Sequence, residues 1–400
     1  MSPLKMRPTQ ARRRPRTADI AVILLLVMSL LIICCNLHRI HEVSTFLDEN
    51  QAGVSQPIDE GEYLMFVPSN VAAVWKAQRF LAVLGIPSVD NSERSRRRDL
   101  QRQTCWKYSG VATRSNNFSG SLLPLCLLAP HQSNSYLISH SLKEEAARTH
   151  DIITLPTNDV SPSTRKKIGE NGNWGIEAEV AMSRKTYLWL RFALHMFPNV
   201  SYIVKGDDDI FIRVPKYLAD LRVMPRHGLY MGRYNYYNRI WRRNQLTYVN
   251  GYCITLSRDT AQAIISYKPL ERLVNMPFSM WDYFDFLDLG MFYEDVMVGM
   301  ILREKVVYRN LISVEMGRCH FHNAGKFGVK KSVRNMSVVI HHIQEADYEM
   351  LMDYFPEGVI PPAPSKLMWL NSNWAAMQCE FRLGRKREIL PSFPFWRKRA

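Results

Sequence analysis

Tyr202-Ile203-Val204-Lys205-Gly206-Asp207-Asp208-Asp209-Ile210-Phe211-Ile212 reads as two short apolar strands separated by three consecutive aspartates. Short runs of β-branched and aromatic residues are the pattern of strands buried on both faces. The carboxylates fall where the first strand ends. Adjacent anions repel one another, and a buried cluster of them is tolerable mainly when a divalent cation neutralises it. Carboxylate oxygens are hard ligands that suit Mg²⁺ or Mn²⁺, and those ions in turn suit a diphosphate.

Outward from this stretch, residues 177–197 carry apolar side chains at Val180, Leu188, Leu190, Phe192, Ala193, Leu194 and Phe197, which predicts a long, largely buried helix stopped by Pro198. Residues 215–221 start another helix with Pro215 in its first turn. Further upstream, 79–87, 122–129 and 151–155 read as buried strands, while 95–104 and 141–149 read as helices. Residues 158–175 are rich in Asp, Pro, Ser, Asn and Gly and read as a loop. Strands alternating with helices predict an α/β fold with a mainly parallel sheet. Ligands of such sheets sit beyond the carboxyl ends of the strands, where Asp207, Asp208 and Asp209 lie. The segment Ile360-Pro361-Pro362-Ala363-Pro364 is expected to end the domain.

The chain has 400 residues, 46% of them hydrophobic and 11% aromatic, enough for one large core or two ordinary ones. Its formal charge of +15 is concentrated at the two ends, in Lys5 to Arg16 and Arg382 to Arg399. Nucleic acid is therefore not the expected partner of the folded middle. The first basic cluster precedes a run, 20–35, that is apolar apart from one serine, and residues 18–37 reach the about 20 needed to cross the membrane. Positive charge before this run and acids after it put the N-terminus in the cytosol, as in a type II membrane protein. The expected order is a basic tail (1–17), a signal anchor (18–37), a stem (38–73), a catalytic domain (74–358) and an aromatic, basic tail (359–400). In a secretory lumen the sequons at Asn117, Asn199 and Asn335 become glycosylation acceptors. The five cysteines beyond the anchor, Cys105, Cys126, Cys253, Cys319 and Cys379, allow two disulfides of unspecified pairing and one leftover thiol.

A second acidic landmark is Glu294-Asp295-Val296-Met297-Val298-Gly299, read as the start of a helix whose dipole favours both acids. A carboxylate there can act as a general base toward a sugar hydroxyl, or serve only as a cap. Tyr234, Tyr236, Tyr237 and Trp241 form either a stacking face for a sugar or an ordinary tyrosine-rich loop. Gly251 either lets the backbone approach a ligand or makes a turn.

Taken together, these landmarks resemble a known family. Residues 198–211 resemble the strand and metal motif of family 31-type β-1,3-glycosyltransferases, and Arg97 to Trp106 is similar to their arginine-rich stretch ending in Thr-Trp. Gly251-Tyr252 through Leu256-Ser257-Arg258 and Tyr293-Glu294-Asp295-Val296-Met297-Val298-Gly299 look like two further motifs of the family, in the same order and with similar spacing. Gly172 to Glu179 with Met182 to Thr186 looks like the related trypanosomatid branch of galactosyl- and N-acetylglucosaminyltransferases. The resemblance implies a GT-A fold, a UDP-galactose or UDP-N-acetylglucosamine donor, Mn²⁺ (or Mg²⁺), a glycan acceptor on glycoprotein or glycolipid, inversion, and residence in the Golgi membrane.

Carried over by motif, Asp207 and Asp209 hold the metal and diphosphate, Asp208 faces the donor's ribose or sugar, and Asp295 is the base. Arg102 and Lys205 contact the nucleotide or its phosphates, or else pair with neighbouring acids. A late histidine often completes the metal site of related enzymes. His320 or His322, in Cys319-His320-Phe321-His322, stands where it is expected, with His341-His342 as the competing pair. The alternative function is a catalytically inactive glycan-binding or chaperone subunit of the same fold, against which the retention of Asp209 and Asp295 argues.

Overall fold

The computed structural model describes residues 22, 25–30, 57–170, 172–238, 245–306, 308–324, 328–358, 360 and 362–379. The chain divides into two compact units, residues 1–57 and 58–400. In the first, Val22 and residues 25–30 are helical and exposed, while the rest of the expected tail and anchor, and most of the stem, lie outside the described residues. Among the described residues no helix is long and apolar enough to cross a membrane.

The second unit is a mixed α/β structure around a nine-stranded sheet. Its strands are β1 (Ala82–Pro87), β2 (Leu122–Leu128), β3 (Ile152–Thr154), β4 (Tyr202–Gly206), β6 (Leu229–Gly232), β9 (Cys253–Ser257), β10 (Ile312–Met316), β13 (Leu367–Trp369) and β14 (Trp374–Met377). Their order is β13-β14-β10-β6-β9-β4-β1-β2-β3, and only β9 and β13 run against the rest. A smaller sheet joins β5 (Ile210–Ile212), β12 (Val339–His341) and β11 (Phe321–Asn323), and β7 (Tyr234–Tyr237) pairs with β8 (Leu246–Val249) as a hairpin. All residues of β1, β2 and β4 are buried, as expected for strands covered on both faces.

Three helices matter for the site: α1 (Ser92–Gln103), α2 (Ile176–Met196) and α3 (Glu294–Met300). The central helix α2 is the long buried helix expected from its apolar spacing. Trp189 on α2 lies flat on β1, where a Cβ at Gly85 would meet its ring at 2.4 Å, and its Nε1 donates to the Val204 carbonyl of β4 at 2.9 Å. Glycine at position 85 is thus what lets a large indole bind helix and sheet together.

The packed unit extends past the expected 74–358 at both ends. Toward the N-terminus, helix Ser69–Ala77 and buried Tyr63 belong to it, and Tyr63 stacks on Phe192 with ring centroids 4.8 Å apart. The polar composition of the expected stem hid these few apolar anchors. Toward the C-terminus, the proline segment does not end the fold, because β14 adds to β10 in parallel and β13 pairs with β14. A Cys319–Cys379 disulfide closes this edge, while Cys105, Cys126 and Cys253 are buried free thiols.

Candidate functional site

The three aspartates occupy the turn between β4, in the main sheet, and β5, in the small one. This turn borders an open cleft of about 370 Å³ at the carboxyl ends of β1 and β4. Small-molecule sites commonly span about 300–1,000 Å³. Seven carboxyl groups line it (Glu170, Glu179, Asp207, Asp208, Asp209, Glu294, Asp295), against two permanent cations, Arg94 and Lys166.

Strand register decides which histidine meets these acids. The antiparallel pairing of β12 with β5 sets His341 opposite Ile210, next to Asp209. His341 Nε2 lies 3.2 Å from Asp209 Oδ1 and 3.5 Å from Asp207 Oδ2. Its Nδ1 is 3.0 Å from Asn323 Oδ1, which accepts the ring N–H, and Tyr252 stacks on the ring at 4.7 Å. His342 joins Asp209 and His341 in a group whose ligand atoms lie within 4.8 Å of one another.

His320 and His322, expected at the metal, are elsewhere. His320 is fully buried with its ring nitrogens 3.1 Å and 3.2 Å from the carbonyls of Met336 and Gln378. His322 sets Nε2 2.7 Å from Ser337 Oγ. His322 lies on β11 and His320 just before it, on the edge strand of the small sheet, and neither borders the cleft. The competing pair, His341-His342, is the one brought to the aspartates.

Helix α1 divides its arginines between two partners. Arg94, Arg97 and Gln101, at helical spacing, face the aspartate turn. Arg94 pairs with Asp208, Arg97 donates to the Ile343 carbonyl at 3.2 Å, and Gln101 donates to the Asp208 carbonyl at 3.4 Å. Arg98 and Arg102 face away. Arg98 pairs with Glu145 at 2.7 Å, while Arg102 pairs with Glu145 at 2.8 Å and with Asp151 at 2.7 Å. Arg102 is therefore a structural ion-pair residue outside the cleft, and Arg94 is the arginine that borders it.

Lys205, 2% exposed, lies under the turn and not in the cleft wall. Its Nζ is 2.5 Å from Asp207 Oδ1 and 2.7 Å from Glu294 Oε1, and it donates to the Gly251 carbonyl at 3.0 Å. Burial opposes its charge, but Asp207 and Glu294 outweigh burial and hold the ammonium above the usual lysine range. One side chain thus ties the aspartate turn to the start of α3. Gly251 completes the junction: a Cβ there would meet Glu294 Oε1 at 2.2 Å.

At that start, Asp295 accepts the Gly251 N–H on Oδ2 at 3.0 Å and the Val296 N–H on Oδ1 at 2.8 Å. Burial, then the neighbouring Glu294 charge, push its carboxyl up to about 8, despite Lys205 and those two donors. Gly299 allows this helix to lie on β8, since a Cβ there would meet Tyr248 Cβ at 2.6 Å. In contrast, Asp209 is lowered: burial raises it, but His341, its hydrogen bond and His342 prevail. Asp208 is raised, by burial first, against the pull of Arg94.

Of the tyrosine stretch, Tyr234 points into the core, its hydroxyl donating to the Tyr230 carbonyl at 2.6 Å, and Trp241 lies outside the described residues. Tyr236 and Tyr237 are half-buried, whereas Asn235 of that hairpin and Tyr293 border the cleft. Arg94 and Glu179 were legible in principle, as members of charged helical turns. Nothing in the sequence pairs β12 with β5.

No family model matches the chain, and no curated protein matches it. Among solved structures, a glycosyltransferase involved in the glycosylation of the major capsid of PBCV-1 is similar to it, with a TM-score of 0.32 and 11% sequence identity over 68% of this chain and 98% of that one, a likeness too remote to assign fold or function.

Proposed function

We propose that the chain is an inverting, metal-dependent glycosyltransferase of the GT-A type, moving galactose or N-acetylglucosamine from UDP to a hydroxyl of a glycan acceptor. The observation that carries the reading is one cleft holding a cation-seeking cluster, Asp207, Asp209 and His341, together with a desolvated carboxyl, Asp295. The β-1,3 linkage, the uridine donor and the Golgi setting are what the resemblance of the sequence motifs to family 31-type β-1,3-glycosyltransferases implies.

The donor set fits a divalent cation. Two carboxylates and one imidazole nitrogen suit Mn²⁺ or Mg²⁺, and octahedral bonds of about 2.1 Å bring neighbouring ligand atoms about 3 Å apart. The His341 to aspartate distances of 3.2 Å and 3.5 Å are close to that spacing. Bound there, the cation would supply Lewis-acid neutralisation of the departing diphosphate.

The chain's own residues do the rest. Asp295 accepts the proton of the acceptor hydroxyl as its oxygen bonds to the anomeric carbon; the bond from that carbon to the UDP oxygen breaks, and its electron pair leaves with the diphosphate. A single displacement of this kind inverts the anomeric centre. A carboxyl held up to about 8 is a stronger base than an ordinary aspartate, and the Gly251 and Val296 amides orient it. Arg94, by pairing with Asp208, reduces the negative charge that a diphosphate would meet.

The test is release of UDP by the purified chain from UDP-galactose or UDP-N-acetylglucosamine, with Mn²⁺ and a panel of glycan acceptors. Release that persists after exhaustive chelation would overturn the metal assignment. The exposed asparagines of all three sequons, Asn117, Asn199 and Asn335, are compatible with a lumenal domain behind a type II anchor. An endoglycosidase-sensitive mobility shift of the chain expressed in a eukaryotic host checks that placement, and its absence would count against it.

A further inference from the structure

Glu179 is a carboxylate that the transfer chemistry leaves without a task. It is 7% exposed, lies in the first turn of α2 and borders the cleft. One oxygen accepts the Trp174 N–H at 2.8 Å, while the other has no hydrogen-bond partner among the described residues. That second oxygen is reached from the cleft, so it is open to a ligand. The helix N-terminus favours an acid in this turn, but exposed Glu177 supplies one without entering the cleft.

The contacts around Glu179 form a wall. The ring of Trp174 lies 4.4 Å from Lys166 Nζ and 5.7 Å from the Arg94 guanidinium, and Arg94 pairs with Asp208 in the aspartate turn. Glu294, the neighbour of Asp295, borders the same cleft, and α2 packs against α3. The wall therefore shares one cleft with the cation-seeking cluster and the base. In an in-line displacement the interval between that cluster and that base holds the sugar being transferred, since its anomeric carbon stands between the leaving oxygen and the attacking one.

We propose that Glu179 reads the transferred sugar: its free oxygen accepts a hydrogen bond from a hydroxyl group of that hexose, while the Trp174 N–H fixes the carboxylate. The assignment rests on the glycosyl-transfer reading and adds a specificity residue to it. Trp174, held by two cations, borders the same cleft beside Glu179.

The test is Glu179→Gln, which keeps a carbonyl oxygen for the Trp174 N–H. With UDP-galactose or UDP-N-acetylglucosamine, whichever the wild type uses, kcat/KM for the donor is expected to fall about 10- to 100-fold, the range for losing a hydrogen bond to a charged group. The Kd for UDP alone, by calorimetry, is expected to stay unchanged. In a series of monodeoxy donors, one deoxygenation should lower wild-type turnover similarly and have little further effect in Glu179→Gln. Strictly additive losses across the series overturn the proposal, because no hydroxyl is then read by this side chain. An equal loss of UDP affinity also overturns it, since Glu179 would then only hold the Trp174 loop. A wild type that turns over no UDP-sugar overturns both readings, whereas donor turnover insensitive to Glu179→Gln overturns this one alone.

Discussion

Asp209 and Asp295 are the same residue type in the same cleft, and their surroundings drive them apart. Asp209 directly precedes β5, beside His341, His342 and Arg94, and despite burial it is held below the ordinary carboxylate range. Asp295 starts α3 beside Glu294, and burial with that like charge lifts it to about 8. The first environment favours an anion and the second a basic carboxylate, a contrast that agrees with the ligand and base roles proposed for them.

The largest expected effect breaks the comparison at the base. Asp295→Asn should lower kcat by about 10²- to 10⁴-fold, the usual worth of a positioned base, while UDP and Mn²⁺ still bind. Turnover near the wild-type rate in a UDP-release assay would remove Asp295 from this role. The next effect breaks it at the ligand end. His341→Ala should raise the Mn²⁺ concentration for half-maximal activity by more than Asn323→Ala does, for which loss of an orienting partner predicts about 10- to 100-fold. His322→Ala should leave that concentration unchanged, and a metal requirement that follows His322 in place of His341 would reverse the assignment.

That pair of substitutions also marks where sequence reading stops. The strand, the aspartate turn and the helix carrying Asp295 were legible because each is a local pattern: a buried run, a breaker, a run with acids at its start. Lys205 and Arg102 were legible as cations that contact the nucleotide or its phosphates or else pair with neighbouring acids. One proved to be a buried strut between Asp207 and Glu294, and the other a partner of Glu145 and Asp151 on the far face of α1. His341 was beyond reach because its place depends on the pairing of β12 with β5, across more than a hundred residues. The edge formed by β13 and β14 was hidden for a similar reason, since a proline segment ends local structure but says nothing of what pairs beyond it.

A smaller effect sharpens the comparison through pH. The base must be deprotonated, so with a raised Asp295 the kcat/KM of the metal-loaded enzyme should climb about tenfold per pH unit below about pH 8 and level above it. An ordinary aspartate would give a flat profile from about pH 5 upward. A flat profile down to pH 5 would show that the neighbours of Asp295 do not hold its proton in the working enzyme.

The smallest effect concerns the pH dependence of stability. A carboxyl whose folded value lies above its unfolded one contributes nothing unfavourable while protonated in both states, below about pH 4. As pH rises from there toward about 8, the unfolded chain ionises it freely while the fold resists, so the wild type loses stability across that window. Asp295→Asn removes this penalty but keeps an oxygen for only one of the Gly251 and Val296 amides, so the other loses its acceptor, a cost of about 1–3 kcal/mol that does not depend on pH. Relative to the wild type, the variant should therefore become more stable by about 1–3 kcal/mol as pH rises from 4 to 8, on top of a constant loss from the amide left without an acceptor. Urea unfolding at the two pH values measures it. A pH-independent difference would mean that the substitution acts through packing, and that the contrast between Asp209 and Asp295 is not one of ionisation.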